Sequence, residues 1–204
     1  MIQYQFGNQH SLPPKRFYET TQVHSNKYIY IKEESPKSIA EVKCDAMIST
    51  EPCTLLIKTA DCLPIFAFND FEISAIHAGW RGLKDHIVKE TLSAFKTPPH
   101  TIVIGPHIRT CCFEVDQDCA ETILHSINTA LDNALTSTVP LANNKYKLNL
   151  ETILRYQLAS IWNGTVLSIP DCTCCNPIYA SYRRNKTTQR NYSWITKSTP
   201  TAAR

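Results

Sequence analysis

The chain has 204 residues, 43% of them hydrophobic and 19% charged, with a formal net charge of +3; this is a globular composition, long enough for one sizeable core and too apolar for a disordered chain. Lys and Arg are spread along the chain, so nucleic acid is not an expected partner, and no apolar run approaches the roughly 20 residues that a membrane span needs. Nine cysteines, an odd number, with no apolar export segment among the first residues, argue for reduced thiols and a cytoplasmic protein rather than a disulfide framework.

In chain order, strand-like runs occur at 28–32 (YIYIK), 54–58 (TLLIK), 65–68 (IFAF) and 72–76 (EISAI). Asn69-Asp70 between the last two reads as a two-residue hairpin loop, since both residues tolerate positive φ. That loop places Cys62 opposite His77, with Cβ atoms about 4.5–5.5 Å apart. Pro64 cannot donate to a ladder, which predicts an edge strand or a bulge there. A helix follows over 81–95, with Leu83, Ile87, Val88, Thr91, Leu92 and Phe95 on one face. After a strand at 101–105 comes a second helix, over 115–135, with a stripe of Cys119, Ile123, Leu124, Ile127, Leu131 and Leu135. A third helix spans 149–164, with Leu150, Ile153, Leu154, Leu158, Ile161 and Trp162 facing inward and Asn163-Gly164 as its stop. Strands at 165–169, 178–182 and 192–195 complete the pattern. This interleaving predicts a single α/β (α+β) domain over 1–204, with mixed β-sheets flanked by helices and a loose tail from Ser198 to Arg204.

A cysteine facing a histidine can share a metal ion or a proton with it. A free cysteine in a strand is commonly only a small buried hydrophobe, but this pair has telling neighbours. Asp61 precedes Cys62, and His77 opens His-Ala-Gly-Trp-Arg-Gly, where two glycines permit a sharp turn into a helix. The N–H groups of that helix start, with Arg81 beside them, would receive an anion. Catalytic zinc usually takes three protein ligands and keeps one open position. His24, His86, His107 and the remaining histidines are all candidates for the third.

Gln22-Val23-His24, Asp45-Ala46, Thr59-Ala60-Asp61-Cys62-Leu63-Pro64 and His77-Ala78-Gly79-Trp80-Arg81-Gly82 follow one another in order. After them come Gly105-Pro106-His107-Ile108 with Glu114-Val115, Cys172-Thr173, Ser181-Tyr182-Arg183-Arg184 and Arg190. Together, over about residues 22–195, these resemble the YfiH family, also called the multicopper polyphenol oxidoreductase (laccase) or purine nucleoside phosphorylase family. The resemblance implies an α/β domain and a zinc site made by His24, Cys62 and His77, with copper as the alternative metal. It implies phosphorolysis of purine nucleosides (adenosine, inosine, guanosine and methylthioadenosine), with adenosine deamination as a second activity. Its partners are then a purine nucleoside and phosphate, in a monomer or a homodimer.

On that reading Cys62, His77, Asp61 and Arg81 form the catalytic set, and Arg81, Arg183 and Arg190 bind phosphate, with Arg184 a further candidate. Asp61 and Asp45 either orient a ligand histidine or satisfy backbone N–H groups. His107 is expected to be structural or pocket-lining. Copper oxidation of phenols is disfavoured, because seven scattered histidines do not make the clusters that several coppers need. Cys172, Cys174 and Cys175 together match no recognised zinc spacing. The family pattern has a longer N-terminus, a Gly where Cys44 stands and a Gly where Gln189 stands. Part of the nucleoside pocket is therefore expected to be missing or rebuilt. Two other functions remain: a metal-independent cysteine hydrolase or deamidase with Cys62 as nucleophile and His77 as base, and a non-catalytic zinc-binding protein.

Overall fold

Side chains alternate across a strand, and two neighbouring strands sort the core into two faces by this rule. In β5 (Leu63–Phe68) and β6 (Ile73–Ala78), Leu63, Ile65, Ala67, Ile76 and Ala78 point to one side, and Phe66, Ile73 and Ala75 to the other. Both strands are buried because both faces are covered. The computed structural model describes residues 1–32, 39–127, 138–159 and 161–199.

Among the described residues β5 and β6 lie at the centre of a six-stranded mixed sheet. Its order is β11 (Thr165–Ser168), β7 (Thr101–Ile104), β5, β6, β3 (Ala46–Ser49) and β2 (Tyr28–Ile31). The two outer pairs are parallel and the inner pairs antiparallel. One face packs on an antiparallel three-stranded sheet of β1 (Ile2–Phe6), β12 (Asn191–Lys197) and β4 (Thr54–Thr59), with Met47, Phe66, Leu55, Ile57 and Ile195 between the two. The other face takes the helices α1 (Trp80–Lys84), α2 (Ile87–Ser93), α3 (Gln117–Leu124) and α4 (Leu150–Ala159), through Leu83, Val88, Ile123 and Leu154. A small sheet of β8 (Glu114–Asp116), β10 (Lys145–Leu148) and β9 (Thr138–Pro140) and a short helix α5 (Tyr182–Asn185) complete the fold. No helix among the described residues is long and apolar enough to cross a membrane. The expected mixed α/β architecture is present.

The hairpin forms, but its register differs from expectation. Pro64, not Cys62, faces His77, and Phe68 faces Ile73. The Asn69 side chain accepts from the N–H groups of Phe71 and Glu72, so Asn69 opens the turn instead of occupying its centre. Moving the turn by one residue moves the pairing by two. Parity is kept, and Cys62 and His77 still belong to the same face.

Pro64 also lies in a central strand rather than at an edge. Here His77 N–H donates to Asp45 O at 2.8 Å, and Pro64 O accepts from Gly105 N–H at 2.9 Å. The pair is thus not hydrogen-bonded to itself, and the missing proline N–H faces the end of β7. There the Gly105 carbonyl is taken by His107 Nδ1 at 2.9 Å.

The expected helix over 81–95 is two helices, because His86 adopts a left-handed conformation (φ 61°) between them. The expected strand at 178–182 is a turn leading into α5. The Asn191 amide bonds the N–H and C=O of Ala180, and Ser181 caps the helix by accepting from Arg184 N–H, so no ladder partner is needed. The second expected helix is formed over Gln117–Leu124 with a 3₁₀ turn to Ile127. Its remainder, with Leu131 and Leu135, lies outside the described residues, as does the tail beyond residue 199. The third helix ends at Ala159.

Glu151 anchors α4 to the sheet. It accepts from Arg109 at 2.7 Å, from Arg155 at 2.8 Å and from Ser168 at 2.8 Å, and is 7% exposed. Burial raises its pKa, but the bonds from Arg155 and Ser168 and the two guanidinium charges outweigh this and hold the carboxyl below its usual range. The folded pKa is the lower one, so this stabilisation is full above the unfolded value of about 4.3 and is lost as pH falls through the folded value. Glu151→Gln is expected to cost about 2 kcal/mol at pH 7, and to flatten the acid limb of stability measured by urea denaturation between pH 5 and 3. An unchanged acid limb would contradict this.

Candidate metal centre and active site

The site forms at one end of the six-stranded sheet, where β6 finishes and β3 and β5 begin. The chain crosses there from β4, in the three-stranded sheet with β1 and β12, to β5, in the six-stranded one. Ala60-Asp61-Cys62 makes the crossing, with Asp61 in a positive-φ conformation (φ 93°) that non-glycine residues rarely adopt. Asp61 is held there on both oxygens: Thr173 Oγ1 donates to one at 2.7 Å and Arg183 N–H to the other at 2.6 Å. It does not orient a ligand histidine; it ties its own crossing segment to the loop of Thr173 and to the start of α5.

His24 arrives on an irregular segment. The Gln22 amide substitutes for a strand neighbour, bonding both the carbonyl and the N–H of Lys58. His24 then takes a left-handed turn (φ 60°). The Asp45 carboxylate fixes that turn by accepting from His24 N–H at 2.9 Å, Ser25 N–H at 2.6 Å and Ser25 Oγ at 2.8 Å. The same carboxylate accepts from His77 Nδ1 at 2.8 Å, which leaves His77 Nε2 free to face Cys62. Of the two aspartates, Asp45 is the one that orients a histidine. Burial opposes ionisation of Asp45, but the bond from His77 and those from Ser25 dominate and hold its pKa at about 2.

The donor atoms of His24, Cys62 and His77 lie within 4.8 Å of one another. Cys62 Sγ is 3.8 Å from His24 Nε2, and the imidazole rings meet edge to face with centroids 4.8 Å apart. Zinc bonds of about 2.0–2.3 Å give ligand–ligand edges of roughly 3.4–3.6 Å in a tetrahedron, so the three groups fit a metal with only small side-chain movement. Two imidazoles and one thiolate are a donor set that zinc accepts and that copper accepts as well. Burial raises the Cys62 thiol, but the charge on His77 and hydrogen bonds from His24 and His77 outweigh it and pull its pKa down to about 6. Burial correspondingly lowers His77, but the Cys62 and Asp45 charges raise it to about 9. Each charge thus favours the other, the thiolate on Cys62 and the second proton on His77.

Gly79 faces this group. A Cβ built on it would lie 2.9 Å from Cys62 Sγ and 2.9 Å from His24 Cδ2, closer than real contacts permit. Its φ of −78° suits any residue, so the requirement is space rather than conformation. Gly79→Ala is expected to weaken metal binding by the three donors at least about 10-fold while leaving the unfolding midpoint almost unchanged. Equilibrium competition with a chelating dye would measure it.

The three donors open onto a cavity of about 1010 Å³ that Asp61, Arg81, Arg183 and Arg190 also line. Its walls carry five Lys or Arg residues and two carboxylates, of which Glu19 is paired with Lys58 at 2.7 Å. Aromatic rings hold three of the cations in place: Arg81 over Trp80 at 4.5 Å, Arg183 over Phe113 at 5.4 Å and Lys186 over Tyr182 at 4.5 Å. The anion-receptive helix start is a weaker feature than expected, because α1 has only five residues and a correspondingly small dipole. Arg184 is not on the cavity wall; its guanidinium is spent on the carbonyls of Thr173, Cys174 and Tyr179. His86 and His107 do not line the cavity either. His107 is buried and held neutral, its pKa lowered to about 4 chiefly by desolvation. Cys44 and Gln189, where glycine was expected, both have negative φ, so side chains are accommodated without strain.

A mixed β-sandwich with one helical face and a Cys-His-His group at the sheet end defines a recognisable class. Residues 3–198 match the family model described as multi-copper polyphenol oxidoreductase laccase, and the chain belongs to that family, the YfiH family. It is 34% identical over 162 residues to the purine nucleoside phosphorylase YfiH of Escherichia coli (strain K12), covering 76% of this chain and 65% of that protein. It is 30% identical over 181 residues to a purine nucleoside phosphorylase of Aquifex aeolicus, covering 86% and 80%. The chain thus spans 65% of the length of the first of these relatives. Among solved structures, a Neisseria meningitidis protein superposes with a TM-score of 0.78 at 28% identity, over 89% of this chain and 74% of that one. YlmD from Geobacillus stearothermophilus superposes at 0.76 over 91% and 74%; at 24% identity that likeness concerns the fold alone.

Proposed function

We propose that this protein is a zinc-dependent purine nucleoside phosphorylase whose metal is held by His24, Cys62 and His77. The observation that carries the reading is the placement of these donors at the floor of a cationic, aromatic-walled cavity. The relatives named purine nucleoside phosphorylase support it. Bound zinc would supply Lewis acidity at the cavity floor. In phosphorolysis a phosphate oxygen bonds to the sugar C1′, and the base leaves with the electrons of the glycosidic bond and gains a proton. Arg81, Arg183 and Arg190 neutralise and position the phosphate. Trp80, Phe113 and Tyr182 offer apolar wall to the purine. Asp45 keeps His77 in one tautomer, and Asp61 sets the backbone that presents Cys62 and Arg183.

Deamination of adenosine at the ring carbon would use the same floor. The thiolate–imidazolium pair of Cys62 and His77 favours a second reading, a metal-independent thiol hydrolase. Base release from adenosine and inosine, measured with and without phosphate and with and without chelator, separates them. The proposal requires phosphate-dependent release that a chelator abolishes and His24→Ala destroys. Ammonia release without phosphate would indicate a deaminase. Activity that survives chelation and His24→Ala but not alkylation would establish the thiol enzyme.

A further inference from the structure

A second group of thiols lies apart from the three donors of the cavity floor. Cys111, Cys112, Cys172 and Cys175 place their four sulfurs within 4.8 Å of one another. Cys175 Sγ is 3.3 Å from Cys112 Sγ and 3.5 Å from Cys111 Sγ. A sulfur in near-equal contact with two others is a vertex of a polyhedron rather than half of a pair. With zinc–sulfur bonds of about 2.3 Å, the sulfurs of a tetrahedral tetrathiolate are about 3.8 Å apart, within the range seen here. The geometry points to a second, structural zinc site with Cys111, Cys112, Cys172 and Cys175 as its four ligands.

The backbone is arranged for it. The three cysteines Cys172, Cys174 and Cys175 matched no zinc pattern as a trio, but with Cys174 outside the group Cys172 and Cys175 have the C-x-x-C spacing of half a zinc knuckle, closed by Asn176 N–H donating to Cys172 O at 2.9 Å. The buried Cys172 sulfur accepts from Arg109 N–H at 3.4 Å, and the N–H groups of Cys174 and Cys175 face it as well. Such bonds stabilise a thiolate. The other two ligands are adjacent in sequence, an unusual spacing. A turn makes them converge: Arg109 O accepts from the N–H groups of both Cys112 and Phe113 at 2.9 Å. Cys111 and Cys175 are exposed, which gives a metal a way in. Four thiolates would fill the tetrahedron, so the site has no open position for substrate. Cys174 stays out of the group and packs against the helical core.

The position explains what such a metal would do. It would staple the loop at 109–113 to the loop at 172–176. The first supplies Cys112 O to the Arg183 guanidinium at 2.9 Å. The second supplies Thr173 Oγ1 to Asp61. Both contacts support residues of the cavity, although the proposal does not depend on what reaction occurs there.

The test is metal stoichiometry and cobalt spectroscopy on the whole chain, purified with a reductant. Wild type is expected to carry about two zinc ions, and Cys62→Ser about one. On zinc-depleted Cys62→Ser, cobalt(II) is expected to bind one equivalent with the strong sulfur charge-transfer absorption of a tetrathiolate. That absorption should disappear in the triple variant Cys62→Ser/Cys111→Ser/Cys175→Ser. Should that variant fail to fold, chelation of folded Cys62→Ser must make four further thiols reactive. The inference is overturned if folded Cys62→Ser holds no zinc and shows no cobalt–thiolate band, if copper rather than zinc fills the site, or if mapping of freshly purified protein finds Cys175 joined by a disulfide to Cys111 or Cys112.

Discussion

Cys62→Ser is expected to abolish metal binding at the proposed cavity-floor site and to lower base release from inosine more than about 100-fold, the upper range for disturbing even a supporting partner of a metal ligand. The substitution removes little volume, so the fold should persist. Serine keeps a hydroxyl whose proton is far harder to remove than that of a thiol drawn down to about 6 by His77 and His24, and at neutral pH it offers no anion. His77 then loses the negative partner that most raises its pKa and gives up its second proton more readily, so the loss of metal is the loss of the anionic donor and not a change at His77. Zinc content and turnover of wild type and variant, measured side by side, decide the matter. A Cys62→Ser protein with wild-type turnover would remove Cys62 from the mechanism altogether, under both the zinc and the thiol readings.

The second large effect is expected at a residue that never meets substrate. Asp45→Asn should cost at least about 3 kcal/mol in stability and weaken zinc binding about 10–100-fold. Every group around this carboxylate is a donor: the N–H groups of Val23, His24 and Ser25, the Ser25 hydroxyl and His77 Nδ1. An amide can accept on one atom only. Its NH₂ would face donors whichever way it turned, and at 1% exposure no water is at hand to relieve the clash. His77 would be free to change tautomer and present the wrong nitrogen. Guanidinium denaturation gives the stability term, and dye competition gives the zinc affinity. A loss of stability with unchanged zinc affinity would reduce Asp45 to a purely structural tie.

Much of this was legible along the chain. Cys62 and His77 share a face because strand parity survives an error of one residue in the turn. The hydrophobic spacings of residues 81–95 and 149–164 marked helical segments, but the former is two helices and the latter ends at Ala159, before the expected Asn163-Gly164 stop. The point where His86 interrupts the first of them could not be read, since a left-handed histidine leaves the apolar stripe almost undisturbed. The strand expected at 178–182 failed because Asn191, eleven residues away from Ala180, takes the backbone groups that a ladder would have used. β1 was missed although Ile2–Phe6 alternates apolar and polar residues as a half-buried strand does; it pairs with β12.

The amino-acid sequence by itself determined the mixed α/β class, the hairpin and the shared face of Cys62 and His77, because these follow from local periodicity. The role of Asp45, the spending of Arg184 on carbonyls and the meeting of Cys111 and Cys112 with Cys172 and Cys175 were decided only in three dimensions. Each depends on loops from distant parts of the chain arriving at one end of a sheet, and loop paths are set by packing, which no local pattern encodes.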